Sequence, residues 1–330
     1  MKKIIINSWE YEIIYNNYDL PKLIVKPDPS KNILAPTTLS KYYSLNHNNI
    51  NAFFNNSFYV AQPDNFNDLF DFNLFAIDFS SFDFEDIERM FPAYNKQKAL
   101  DLFNKDPKEH LNSIKELAYK KWIEKFGILC LTESINNYLM WAHYSDNAGF
   151  LVEFDYSKFP PNSLGPFPIN YVLKKHKLNL RKINVLLGFF MESLTKKQIW
   201  DYENEYRFFF YPPNKKSVFQ VTGRFSNDEF NFEKQERFIS YPKEAIVKVI
   251  LGFNFFGNAL ERLEEYQYRV NLQDNKSSMK IYLLNKLIKD EVTVELIGQN
   301  MDKYELIPIP IKITPINGTV FEIKEYRDQI

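Results

Sequence analysis

The chain has 330 residues, 45% hydrophobic and 25% charged, proportions that allow a sizeable core in one large domain or one domain with appendages. A formal net charge of −1 excludes whole-protein attraction to a phosphate backbone, so any nucleic-acid contact has to come from a local patch. The single cysteine, Cys130, excludes an intramolecular disulfide and fits a reducing compartment, while His47, His110, His143 and His176 are too scattered for a zinc site.

The N-terminus, Met1-Lys-Lys-Ile-Ile-Ile6, turns polar at Asn7, Glu10 and Glu12, so no signal-peptide core develops. No run approaches the ~20 apolar residues of a membrane span. The expectation is a cytoplasmic protein without membrane contact. Residues 1–32 read as an N-terminal extension, with strand-like pieces at Lys3–Ile6 and Tyr11–Tyr15 and a Pro-containing link over 26–31.

A main α+β domain is expected over 33–255. Ser40–Ser44 is extended, Asn46–Asn55 has helical spacing, and Ser57–Val60 is a strand. The strand runs into a loop dense in turn formers, Gln62-Pro-Asp-Asn-Phe-Asn-Asp68, where Asn65, Asn67 and Asp68 suit either a ligand or Asx-turns. Residues 83–126 read as two or three helices, broken at Pro92 and Pro107. Gly127–Thr132 is an unbroken apolar run and therefore a buried central strand, with Cys130 an inert buried thiol within it. A short helix follows, capped by Ser134 or Asn136 and carrying Leu139, Met140 and Tyr144. Strands are expected at Phe150–Phe154, Ile169–Leu173, Glu203–Tyr211 and Ala245–Gly252, with a helix at Val185–Leu194. The most basic stretch, Lys174–Lys182, is either a phosphate contact or a solvated loop. A C-terminal extension over 256–330 reads as a helix near Asn258–Tyr268, a lysine-bearing mixed stretch, a strand at Val292–Ile297 and an extended piece at Ile307–Ile313. Pro308 and Pro310 would confine that last piece to a sheet edge.

The segment with the densest chemistry is Trp200-Asp-Tyr-Glu-Asn-Glu-Tyr-Arg207. On a strand, Glu203, Glu205 and Arg207 share one face, and the two carboxylates lie about 7 Å apart. Arg207 can hold one of them ionised. An ion-paired, solvated strand face accounts for the same pattern. Strand ends carry ligand sites in many folds, which brings Thr132, Glu133 and Ser134 into consideration, while Met140 and Trp141 read as core.

Taken in order, Lys41-Tyr-Tyr-Ser44, Phe66-Asn-Asp-Leu-Phe-Asp71, Leu131-Thr-Glu133 with Met140-Trp-Ala-His-Tyr144, and Trp200 with Tyr202–Arg207 resemble the bacterial family called domain of unknown function 2971. The resemblance covers roughly residues 38 to 255, and Val249-Ile-Leu-Gly252 also fits it. One departure is Leu69, where the family has Pro. The layout is also similar to ADP-ribosyltransferase folds, which implies a mixed, largely antiparallel central sheet with flanking helices around an ADP-ribosyltransferase-like core. The resemblance implies NAD as substrate and Glu205 as the carboxylate that binds the nicotinamide ribose. It further implies Glu203 facing the acceptor, Lys41 or Tyr42 contacting NAD, and Thr132 supporting the ribose. Asn67 and Tyr144 belong to the same expected NAD-binding set. Two departures are Lys41 for Arg or His, and Leu-Thr-Glu for Ser-Thr-Ser.

The function expected on these grounds is an NAD-dependent ADP-ribosyltransferase-like enzyme, a toxin or phage-defence effector, with a nucleic acid or protein acceptor and an antitoxin-like partner protein. Two other classes remain open. One is a non-enzymatic module binding nucleic acid or protein through an aromatic groove and the 174–182 patch. The other is a metal-dependent nuclease using Asp68, Glu133, Glu203 and Glu205.

Overall fold

A computed structural model describes residues 2–6, 9–14, 22–27, 36–72, 77–90, 93, 95–175, 177–179, 185–212 and 234–327. Strands β1 (Lys2–Ile6), β2 (Trp9–Ile14) and β3 (Lys22–Pro27) form an antiparallel sheet of their own. Then follow β4 (Leu39–Tyr43), α1 (His47–Phe54), β5 (Ser57–Tyr59), β6 (Ile77–Asp78), α2 (Phe84–Met90), α3 (Lys96–Lys105), α4 (Pro107–Ile123) and β7 (Gly127–Thr132). The chain continues through α5 (Tyr138–Ser145), β8 (Phe150–Phe154), β9 (Ser163–Pro168), β10 (Asn170–Val172), β11 (Leu178–Asn179), α6 (Val185–Glu192), β12 (Thr195–Lys197) and β13 (Glu205–Phe210). It ends with β14 (Phe238–Ser240), β15 (Ile246–Leu251), β16 (Leu260–Glu264), β17 (Gln267–Asn271), α7 (Ser277–Lys289), β18 (Thr293–Asn300), β19 (Glu305–Pro315) and β20 (Val320–Glu325).

One sheet of 11 strands organises the fold, in the order β16-β17-β20-β19-β18-β15-β8-β4-β7-β13-β9. Its neighbours pair antiparallel except β15 and β18, so the protein is a mixed α/β fold built on an open, mostly antiparallel sheet. The apolar runs explain the centre. Phe150, Leu151, Val152 and Phe154 of β8 are fully buried, as are Val249, Ile250 and Leu251 of β15. The high phenylalanine content fills the space around them: Phe58 packs against Phe154, Phe159, Phe210 and Tyr241. A second, smaller apolar cluster joins Tyr42, Met140, Trp141, Leu151 and Ile250, and it fastens α5 to β4 and β8.

Several expectations hold in detail. Asn46 caps α1 by accepting the Asn49 N–H at 2.9 Å, and residues 83–126 contain three helices. Others need correction. α5 is capped by Asn137, whose side chain accepts from the N–H groups of Leu139 and Met140, not by Ser134 or Asn136. The helix expected near Asn258–Tyr268 is the hairpin β16–β17. Leu260 and Leu263 mimic helical spacing there, but Tyr266 turns the chain at φ 60°. The lysine-bearing stretch is α7.

β19 is internal, between β18 and β20, in spite of its prolines. The prolines fall where the strand still has one neighbour: Pro308 and Pro310 lie opposite β18, and pairing with β20 starts only at Ile311. A missing N–H costs little at such a place. Strands β16–β20 therefore continue the sheet that carries β4, β7 and β13. Most of the 26–31 link and the expected domain start near residue 33 lie outside the described residues.

Candidate active site

The sheet parts between β4 and β7. β4 meets β7 at one residue pair, Ser40 opposite Thr132. The positions that would continue this ladder are Lys41 with Leu131 and Tyr42 with Cys130. They instead line a cavity of about 440 Å³, together with Tyr59, Phe66, Asn67, Asp71, Met140, His143, Tyr144, Lys196, Glu203, Glu205 and Arg207. Every residue of the expected set — Lys41, Tyr42, Asn67, Thr132, Tyr144, Glu203 and Glu205 — is on this wall.

The two glutamates arrive there by different routes. Glu205 opens β13, opposite Thr132 of β7, and Arg207 follows opposite Cys130. Glu203 is not on that strand. It ends a 3₁₀ turn over Gln198–Glu203, and Asn204 reverses the chain in the left-handed region at φ 42°, ψ 52°. Asparagine tolerates that conformation because its short polar side chain bonds locally; here its amide donates to Ser134 Oγ at 2.8 Å. The expectation of one strand face is thus corrected, and the glutamates meet over a cation. Lys196 Nζ donates to Glu203 Oε2 at 2.5 Å and to Glu205 Oε2 at 2.9 Å.

A chain of charges runs on from there. Arg207 Nε donates to Glu205 Oε1 at 2.7 Å, and its two terminal nitrogens reach Asp71 Oδ1 at 3.0 Å and Oδ2 at 2.5 Å. A further donation goes to the Ser193 carbonyl at 2.7 Å, and Phe66 lies 5.0 Å from the guanidinium. At the other end Tyr144 donates to Glu203 Oε1 at 2.6 Å, and Asn67 donates to the Tyr144 hydroxyl at 3.3 Å. The backbone N–H of Glu205 donates to Tyr171 at 2.8 Å. All five charged side chains are almost fully buried; the solvated strand face is excluded.

Burial and pairing set the two carboxyls apart. Burial pushes the Glu205 carboxyl up, but Arg207 and Lys196 outweigh it and hold it well below the usual carboxylate range. For Glu203, burial and the neighbouring charge of Glu205 prevail over Lys196, and its carboxyl is pushed up. The cavity thus holds one firmly ionised carboxylate next to one that takes a proton more readily, the arrangement that separates electrostatic from proton-transfer roles. Counted as ionised groups, Asp71, Glu203 and Glu205 on the cavity wall are balanced by Lys41, Lys196 and Arg207.

Other expected residues have different duties. The Thr132 hydroxyl donates to the Glu203 carbonyl and accepts from the Ser134 N–H at 2.8 Å, so it holds the Glu203 turn against β7. Tyr42 donates to the Ser134 carbonyl at 2.6 Å, with its ring edge-on to Trp141 at 4.9 Å. His143 Nδ1 lies 3.2 Å from the Tyr202 hydroxyl. Cys130 is not sealed in the core: it is half-buried on the cavity wall, with its thiol pushed up by burial and by Glu205. Asp68 bonds the Phe70 N–H at 2.9 Å, an Asx-turn.

Of the carboxylates named for a nuclease, Glu203 and Glu205 meet, while Glu133 is exposed and accepts from Tyr206 at 3.2 Å. Among the described residues no group of three His, Cys, Asp or Glu side chains is arranged to hold a metal. In the basic stretch, Lys175 pairs with Glu192 and Lys174 is exposed; residues 176 and 180–182 lie outside the described residues. No helix among the described residues is long and apolar enough to cross a membrane.

Lys196 and Asp71 are the members of the charge chain that sequence reasoning missed. Asp71 was inside a quoted motif, four residues after Asn67. Lys196 precedes Trp200 by four residues, and nothing in its neighbourhood distinguishes it from Lys197, which is exposed and lies over Phe70. Comparison with family models, curated proteins and solved structures returns no match.

Proposed function

We propose that the cavity binds NAD and that the protein transfers ADP-ribose from it to a nucleic acid or protein acceptor. One observation carries this reading: Lys41, Tyr42, Glu203 and Glu205, drawn from the first and last of four ordered motifs, line one cavity where β4 and β7 part. The cavity volume is within the ~300–1,000 Å³ of ordinary ligand pockets. The residues fit the ligand's chemistry. Loss of nicotinamide builds positive charge on the ribose, and the ionised Glu205 carboxylate is on the cavity wall to meet it.

In this reading Glu205 is the fixed anion, clamped by Lys196 and Arg207 so that no reorganisation is needed as charge develops. Glu203, bonded to Tyr144 and inclined to accept a proton, takes the proton of the attacking acceptor group. Asn67 orients Tyr144, and Lys41 and Tyr42 contact the ligand from the β4 side of the cavity. Thr132 and Tyr42 hold the site's backbone. An enzyme of this kind fits a toxin or phage-defence effector kept in check by a neutralising partner protein.

The test is transfer of labelled ADP-ribose from NAD to RNA, DNA or cell-extract protein. Wild-type protein is expected to label one acceptor class, and Glu205→Gln, checked for folding by circular dichroism, to label none. Equal behaviour of the two proteins would defeat the reading.

A further inference from the structure

Three cations line the cavity, and two of them are saturated. Lys196 is shared by two carboxylates, and Arg207 spends its donors on Glu205, Asp71 and the Ser193 carbonyl. Lys41 differs. Among the described residues it makes no ion pair and no hydrogen bond, and its Nζ lies 5.6 Å from the centroid of the Tyr43 ring. It comes from the strand that separates from β7, so its side chain enters the gap where the ladder would have continued. The residue is partly exposed, so a ligand in the cavity can reach its amine.

We propose that Lys41 is a nucleophilic amine that captures small hydroxylated aldehydes, such as the open-chain form of a sugar, as an imine. Several observations converge on it. A lysine amine becomes a nucleophile when desolvation favours its neutral form, and no carboxylate is bonded to this one to hold the proton. Burial lowers its proton affinity, with Cys130 and Glu205 pulling weakly the other way. The cavity's other polar groups, Glu203, Tyr144 and Asn67, suit hydroxyls.

The chemistry balances without a further reagent. The Nζ lone pair forms a C–N bond to the carbonyl carbon as the carbonyl π pair moves to oxygen. A proton passes from nitrogen to that oxygen, giving a carbinolamine. The nitrogen lone pair then expels the hydroxyl, which leaves as water on taking a proton, and the second N–H proton is released. One amine and one aldehyde give one imine and one water.

The experiment is trapping with D-glyceraldehyde or D-ribose and cyanoborohydride near neutral pH on the full chain, followed by peptide mapping at limited conversion. The expected result is an adduct on Lys41 that forms ahead of those on Lys174 and Lys197, which are exposed references. That adduct is lost in Lys41→Arg, which keeps the charge, while the reference adducts persist. Labelling of Lys41 no faster than of Lys174 and Lys197 overturns the proposal, and the wild-type map decides this even where a variant fails to fold. No NAD is present, so failure here leaves the ADP-ribosyl transfer reading intact, and the reverse also holds.

Discussion

The fold builds one motif twice, a lysine set between two glutamates, and the two copies differ in what surrounds them. Lys248 of β15 bridges Glu153 of β8 and Glu295 of β18 at 3.5 and 2.9 Å, across three neighbouring strands. Its side chain is 21% exposed, water reaches it, and no cavity adjoins it among those described. Lys196 bridges Glu203 and Glu205 at 4% exposure and lines a cavity. Ion pairs near solvent contribute little and cost little. Burying five charges is expensive, and clusters of this kind are concentrated at functional sites. The same residue types thus bridge three strands at β8–β15–β18 and line a cavity beside β7 and β13.

The largest effect expected from this contrast is on stability. Arg207→Met leaves Asp71 buried without its cation and Glu205 with Lys196 alone, and should cost about 3–5 kcal/mol in urea unfolding. Lys248→Met should cost about 1 kcal/mol or less. Similar costs at the two positions would erase the distinction between the triads.

A second effect separates the two glutamates by pH. Glu205 has a folded-state pKa below its unfolded value, so its stabilisation is present above the ordinary glutamate value of about 4.3 and is lost as pH falls below it. Glu203 is shifted the other way, so its contribution weakens as pH rises from about 4.3 toward its raised value. Glu205→Gln should therefore flatten the acid limb of the stability profile. Glu203→Gln should flatten the decline on the other side. Thermal melts across the acid range would show whether both variants alter the same limb, which would contradict the assignment.

The smallest effect concerns the turn that brings Glu203 in. Asn204→Gly should be near neutral, while Asn204→Val should cost about 1–2 kcal/mol because a β-branched residue resists the left-handed region. If Val is tolerated as well as Gly, the turn is not held as described.

Much of this site was legible because its residues sit in short, ordered motifs. Lys41, Glu203 and Glu205 were named from the sequence and share one cavity. What periodicity could not show was the route. Alternation along a strand put Glu203 beside Glu205, whereas the left-handed Asn204 does so, and a local backbone reversal leaves no trace in a pattern of period two. Lys196 was illegible for a different reason: burial of a lysine depends on partners distant in sequence. β16–β17 was misread because Leu260 and Leu263 satisfy helical spacing while facing largely outward on a hairpin.

The most direct measurement is nicotinamide release from NAD by wild type, Glu203→Gln, Glu205→Gln and Lys248→Met, compared at equal folded concentration with the acceptor that is labelled. The NAD reading predicts release by wild type and Lys248→Met, a reduced rate for Glu203→Gln, and background for Glu205→Gln. Equal release by all four proteins, or none from wild type with RNA, DNA or protein acceptors, would contradict it.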